Sequence, residues 1–185
     1  MTLGDTRIAD RILAALRGAT DRQLIVANDV RAPEWFPDLP IAADVVAGLG
    51  PLAGIETALR AANGADILIV AWDMPFVTTP LLRGLRARGD VGAAAVIPAY
   101  GAGPTYEPLC AFYAARTLET CSALLAAGER RAIALFQALP DAVVVPEEII
   151  AQHGVPARLF LSVDSPRALA QVGELSPQEA RAIRR

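Results

Sequence analysis

Lysine is absent: all 17 basic residues are arginine. No step that needs a Schiff-base amine or a lysine ammonium on a phosphate falls to these residues. Histidine is nearly absent too. The one histidine, His153, sits in a polar loop beside Gly154, which leaves no basis for a Ser-His-Asp triad. The two cysteines, Cys110 and Cys121, fit neither a metal nor a redox spacing and read as small core thiols of a cytoplasmic chain. Long apolar runs are missing, although hydrophobic residues make up 54% of the chain. Nothing approaches the roughly 20 consecutive residues of a membrane span, and Met1-Thr2-Leu3-Gly4-Asp5 has neither the basic head nor the apolar core of a signal peptide. A net charge of −3 gives no basic face for nucleic acid. The 185 residues show no repeat and no linker, so they read as one domain with a core of its own.

What is present is organised around residues 65–76, ADILIVAWDMPF. Its short continuous apolar run reads as a strand buried on both faces. Pro75 forbids helix and pushes Met74 extended, so the chain turns just after Asp73. One carboxylate is thereby left on the C-terminal lip of a central strand, where open α/β sheets bind ligands.

Around it the pattern predicts helices at 7–16, 55–62, 79–89, 117–127 and 131–139. Strands are expected at 22–27, 40–43 with Asp44 just beyond it, 66–71, 93–97, 109–113, 142–145 and 159–163. Thr79 with Pro80 suits a helix start, and Ser165-Pro166 repeats that start ahead of Leu169. Residues 31–40 and 98–105, rich in Pro or Gly, read as loops, and 176–185 as a polar terminal helix. Strands alternating with helices indicate an α/β fold, a three-layer sandwich around a mostly parallel sheet.

Several residues can carry chemistry. Gly50-Pro51-Leu52-Ala53-Gly54 opens a helix with free N–H groups and room for close approach, a setting for an anion or a flat ring, although a tight turn alone explains such a pair. Asp73 is placed to hold Mg²⁺, which binds through one or two carboxylates plus substrate phosphates. Asp164 ends another expected strand and is either a second carboxylate or a helix cap. Asn28 either reads a base edge or forms an Asx turn.

Taken in order, Asn28, Asp44, Gly50-Pro51-Leu52-Ala53-Gly54-Ile55 and Asp73-Met74-Pro75-Phe76 resemble the motifs of molybdenum cofactor guanylyltransferase. Glu107-Pro108-Leu109-Cys110-Ala111 resembles that family's xPLxA segment, and Ser162-Val163-Asp164-Ser165-Pro166 its late N-x-N-T-P stretch. The resemblance covers about residues 4–172. It implies a Rossmann-like nucleotidyltransferase fold and transfer of GMP from GTP to molybdopterin-bound molybdenum. By the same resemblance Asn28 and Asp44 contact the nucleotide together with Gly50 and Gly54. Asp73 carries Mg²⁺ and approaches the GTP as the catalytic residue. Asp164 stands where the family has Asn, as a metal or pterin-side contact. Arg7 or Arg131 is a candidate for extra charge on the phosphates. Asp44→Ala is expected to weaken guanine preference more than fold stability. The implied partners are GTP, the molybdenum cofactor and a molybdoenzyme or its chaperone, with no nucleic acid and no membrane. The alternatives are a molybdopterin cytidylyltransferase and a non-catalytic nucleotide- or pterin-binding partner of a molybdoenzyme.

One departure is large. The family opens with a strand running into L-A-G-G-x-S-x-R-M-G-x-x-K, and Met1 to Arg7 resembles only the segment after it. The expectation is therefore an N-terminally truncated domain over 1–185, lacking its first strand and phosphate loop and inactive as written, because nucleotidyl transfer is chiefly positioning and charge stabilisation. Residues 22–27 and 66–71 would then stand apart or pair abnormally, with Asp73 on an open cleft.

Overall fold

A computed structural model of the chain describes residues 1–46, 48–165 and 167–169. In order the elements are β1 (Thr2–Leu3), β2 (Thr6–Arg7), α1 (Ile8–Arg17), β3 (Ile25–Val26), α2 (Ala32–Trp35), β4 (Ile41–Ala42), α3 (Pro51–Ala61), β5 (Ile67–Val70) and α4 (Thr79–Asp90). There follow β6 (Ala95–Tyr100), β7 (Thr105–Tyr106), β8 (Cys110–Tyr113), α5 (Leu118–Ala126), α6 (Ala132–Ala138), β9 (Val143–Val145), α7 (Glu147–Ile150) and α8 (Pro156–Leu159).

The main sheet has the order β5-β8-β6-β7, with β9 also paired to β6. β8 is antiparallel to both β5 and β6, and β9 is parallel to β6. Thus β5, β6 and β9 run one way and β8 is the inserted opposing strand. This puts the C-terminal ends of β5 and β6 and the entry to β8 on one edge. β3 and β4 form a separate parallel pair. Among the described residues β3 and β5 share no ladder, yet α3 packs against β3, β4 and β5 alike.

The period-two alternation of the strands divides the core into two layers. Val96, Cys110 and Phe112 face a cluster built with Ile8 and Ile12 of α1 and Leu81, Leu82 and Leu85 of α4. Ala95, Ile97, Ala111 and Tyr113 face the other way, against Leu52, Ile55 and Leu59 of α3, Cys121 of α5 and Leu135 of α6. Leu68 and Val70 of β5 join the first cluster, Ile67 and Ile69 the second. Both cysteines are buried free thiols. Burial pushes the Cys121 thiol up to about 12 and the Cys110 thiol upward as well, so neither is a nucleophile near neutral pH. No helix among the described residues is long and apolar enough to cross a membrane.

Several expectations need correction. The cap of α4 is Thr78, whose hydroxyl accepts from Leu81 N at 3.4 Å; the Thr79 hydroxyl instead donates to the carbonyl of Ala15 at 2.9 Å and ties α4 to α1. Residues 98–105 are not simply a loop, since β6 continues through Pro98 to Tyr100 and turns back into β7. The strand expected at 159–163 is absent: Pro156 opens α8 over Pro156–Leu159, and among the described residues the stretch after it meets β5's outgoing chain through one backbone bond, Val163 N to Asp73 O at 2.7 Å, and the Ser162 side chain. Residues 31–40 are not all loop either, since Ala32–Trp35 form α2 with Pro33 in its first turn. The short hairpin β1–β2 had no sequence signal. Ser165 does act as a helix start, accepting from Ala168 N on its hydroxyl and from Leu169 N on its carbonyl. The helix expected at 176–185 lies outside the described residues.

Candidate active site

Two groups of side chains form at the strand ends. The first is at β3 and β4. Their parallel register, Ile25 opposite Ile41 and Val26 opposite Ala42, brings the residues two steps beyond each strand together. Asn28 Nδ2 donates to Asp44 Oδ2 at 2.9 Å, and Asp44 N donates back to Asn28 Oδ1 at 2.9 Å. The other Asp44 oxygen, Oδ1, accepts from the Thr57 hydroxyl of α3 at 2.6 Å. Thr57 is buried. Both expected base-reading residues therefore meet, but they are also a latch that fixes the β3–β4 pair to α3.

The start of α3 differs from the free donor array expected. Gly50 has φ +79, in the left-handed region that favours glycine. A Cβ there would lie 3.0 Å from the carbonyl oxygen of Arg130. That carbonyl accepts from Leu52 N at 3.2 Å, so a backbone group of this chain already fills part of the helix N-terminus. A Cβ at Gly54 would meet nothing within 4 Å, leaving that side of the helix open to a ligand. Arg131 is paired with Glu129 at 2.7 Å and Arg7 with Asp10 at 2.7 Å. Neither arginine is free to meet a phosphate without giving up that partner.

The second group surrounds Asp73. It is half-buried just past β5, beside Trp72, which is 65% exposed. The Ser162 hydroxyl donates to Asp73 Oδ2, and Val163 N holds the Asp73 carbonyl. Asp73 Oδ1 has no hydrogen-bond partner among the described residues. Asp164 is exposed one residue beyond Val163, next to this contact but not bonded to Asp73. Glu107, on the way into β8, accepts from the Tyr100 hydroxyl at 3.3 Å. Burial pushes the Glu107 carboxyl up; the Tyr100 hydrogen bond opposes that, and the nearby Asp73 charge adds to it. Ser162, Glu107 and Thr57 escaped the residue-by-residue reading. Ser162 and Glu107 stood inside quoted motifs, whereas Thr57 carried no signal.

The donor set near Asp73 is hard oxygen, and no group of three or more His, Cys, Asp or Glu residues among those described forms a closed metal cage. Such a site suits a cation held by one or two carboxylates and completed by substrate oxygens.

A family model for the MobA-like NTP transferase domain matches residues 1–143. The chain is 32% identical to a probable molybdenum cofactor guanylyltransferase of Chloroflexus aggregans over 89% of its own length and 78% of the relative's. It is 33% identical to the molybdenum cofactor guanylyltransferase of Cereibacter sphaeroides over 97% and 88% of the two chains. Among solved structures it is similar to molybdopterin-guanine dinucleotide biosynthesis protein A from Archaeoglobus fulgidus, with a TM-score of 0.77 and 24% identity over 95% of this chain and 88% of the other. The fold is also shared with 2-C-methyl-D-erythritol 4-phosphate cytidylyltransferase from Thermus thermophilus, at a TM-score of 0.66 and 17% identity, covering 98% and 91%. With that match, those relatives and an α/β nucleotidyltransferase fold, the chain belongs to the MobA-like NTP transferase family and is a molybdenum cofactor guanylyltransferase-like protein.

Proposed function

We propose that the protein transfers GMP from GTP to molybdopterin-bound molybdenum, forming the guanine dinucleotide cofactor in the cytoplasm, with Mg²⁺ held on Asp73. The observation that carries this reading is the Asp73 carboxylate at the end of β5. One oxygen is oriented by Ser162, its carbonyl is fixed by Val163, and Oδ1 is left for a hard cation. Two curated relatives named for this activity align over most of the chain.

In this reading a phosphate oxygen of molybdopterin attacks the α-phosphorus of GTP in line, the bond to the bridging oxygen breaks, and pyrophosphate leaves. Mg²⁺, when bound, neutralises the charge that develops on the phosphate oxygens. Asp73 supplies the negative charge that retains it, and Ser162 keeps the carboxylate from rotating away. Asn28 and Asp44 contact the nucleotide from the neighbouring strand ends with the lone pairs and the proton that their mutual bonds leave over. Gly54 gives the nucleotide room against α3. Asp164 lies on the acceptor side as a pterin contact. With no lysine in the sequence, the phosphate charge within these residues falls to the cation and to arginine.

The test is pyrophosphate release and cofactor formation with GTP, Mg²⁺ and molybdenum cofactor. Asp73→Asn is expected to keep the fold and lower transfer by about 100-fold or more, since an amide cannot supply the charge a hard cation needs. Parental turnover by Asp73→Asn would reduce Asp73 to a turn residue.

A further inference from the structure

Just past β5, Met74 N donates to Ala71 O at 3.3 Å. This closes a four-residue turn whose two central residues are Trp72 and Asp73. Both ends of the turn are tied down. Ala71 N donates to Leu109 O at 2.7 Å, and its side chain packs on the core cluster shared with α1 and α4. Met74 is buried, as are Phe76 and Val77 after it. Within the turn, the Asp73 carbonyl is held by Val163 N and its carboxylate by the Ser162 hydroxyl. Trp72 therefore stands on a fixed corner directly beside Asp73, with Cα atoms about 3.8 Å apart.

A single exposed apolar side chain is ordinary on a protein surface. Trp72 differs in two respects. The tips of tight turns favour small polar residues, which satisfy the turn's own backbone or tolerate its dihedrals, and an indole does neither. Its ring is also uncovered. Of the other exposed aromatic rings, Trp35 lies under the Arg31 guanidinium at 4.9 Å and Tyr106 leans on Phe136 at 6.0 Å. Trp72 meets neither a ring nor an arginine among the described residues. A flat apolar face is thus left open at the C-terminal end of β5, on the sheet edge where open α/β folds bind their ligands. An indole is large and rigid, with only two torsions to order, so it stacks a flat ring at low entropic cost. Both substrates of the proposed transfer carry such a ring, guanine on the nucleotide and pterin on the acceptor.

We propose that Trp72 is a stacking platform for the flat fused-ring heterocycle of a substrate bound at the Asp73 site. The proposal rests on the reading that Asp73 holds the cation for nucleotidyl transfer. Phosphates drawn to that cation bring the ring attached to them to the same corner. The indole face then fixes the plane of the ring without reading its edge, so Trp72 contributes affinity and orientation and leaves base selection to polar groups.

The sequence holds two tryptophans, so the difference in fluorescence between the parent and Trp72→Phe reports on Trp72. Titration with GTP and Mg²⁺, and separately with free pterin, is expected to quench that difference signal with at least one of the two. GTP as the quenching ligand assigns the platform to the nucleotide, and pterin assigns it to the acceptor. Calorimetric titration of the same ligand is expected to show binding about tenfold weaker in Trp72→Ala, within the range of ring stacking on an aromatic side chain. Trp72→Phe keeps a ring and is expected to bind more tightly than Trp72→Ala. Thermal unfolding of each variant sets the titration temperature, below its transition. If both ligands bind Trp72→Ala as tightly as the parent, the stacking assignment is overturned and the Asp73 reading stands. Equal losses in Trp72→Phe and Trp72→Ala would also overturn it, because the ring would then not be what matters. If neither ligand binds the parent, the transfer reading fails and the assignment falls with it.

Discussion

Asp44→Ala is the perturbation whose cost can be worked most directly from the structure. The substitution deletes two hydrogen bonds to a carboxylate, from Thr57 Oγ1 at 2.6 Å and from Asn28 Nδ2 at 2.9 Å. The first matters more. Thr57 is 8% exposed, so its hydroxyl is left without a partner in a site that water does not easily reach, at about 1–3 kcal/mol. The second involves an exposed Asn28 that water can satisfy, and it contributes about 0.5–1 kcal/mol. Together the loss is about 1.5–4 kcal/mol, a large share of the ~5–15 kcal/mol of a typical domain. In urea unfolding the midpoint should fall with the slope unchanged. Asp44→Asn keeps an oxygen for Thr57 and should lose less than half as much. Thr57→Val should be strongly non-additive with Asp44→Ala, since both remove one bond. The residue chemistry alone pointed to guanine preference as the main effect of Asp44→Ala. The latch to Thr57 adds a stability effect of similar importance, so GTP and CTP titrations need a folded variant, and Asp44→Asn is the suitable one. A stability loss below about 0.5 kcal/mol for Asp44→Ala would refute the latch, because the buried hydroxyl would then have found another partner.

Gly89→Ala places a Cβ 2.3 Å from the Phe112 ring, where α4 lies on β8; overpacking of about 1–3 kcal/mol should lower the calorimetric Tm by about 2–12 °C. Gly50→Ala forces an L residue to φ +79 against the Arg130 carbonyl and should cost about 1–2 kcal/mol, read as a lower urea midpoint. Hydrogen bonds from Arg131 hold the Glu129 carboxyl down at about 2. A depressed carboxylate gives stability that is present above its unfolded value near 4.5 and is lost as pH falls through about 2; Arg131→Ala should return the Glu129 titration, followed by carboxyl-carbon NMR, toward 4.5.

Much of the fold was legible because the chain alternates where it is buried. Residues 109–113 and 66–71 are short apolar runs bounded by turn signals, and both became strands of the main sheet. Residues 159–163 look the same in composition, and Leu159, Phe160 and Val163 are indeed buried. Periodicity does not separate a buried strand from a buried turn of helix; here Pro156, at the first position of a short helix, decided the matter. Pro98 misled in the opposite direction. A proline with three nearby glycine and proline residues signals a loop, but β6 runs through it. Pro98 pairs in register with Val145 of β9 and uses its carbonyl to accept from Glu107, neither of which needs the missing N–H.

The candidate site divides along the same physical line. Asp73 could be found from its own neighbours, because an apolar strand followed by Asp-Met-Pro places a carboxylate at a strand end whatever the rest of the chain does. Asn28 and Asp44 could be placed at strand ends in the same way, but not joined, since their contact depends on the parallel register of β3 with β4. Glu107 needed still more. Its place at the entry to β8, on the edge where β5 ends, follows only once β8 is known to run antiparallel between β5 and β6, and nothing local in Tyr106-Glu107-Pro108 announces a strand direction. A local pattern reveals a functional residue when one element positions it. When two elements position it, the register between them carries the information, and that register is set by packing on both faces of the sheet. Here Phe112 and Cys110 fit the α4 side and Tyr113 and Ala111 the α3 side. A slip of one residue in β8 would exchange those faces, so the core that stabilises the fold also fixes the register that brings the entry to β8 beside the end of β5.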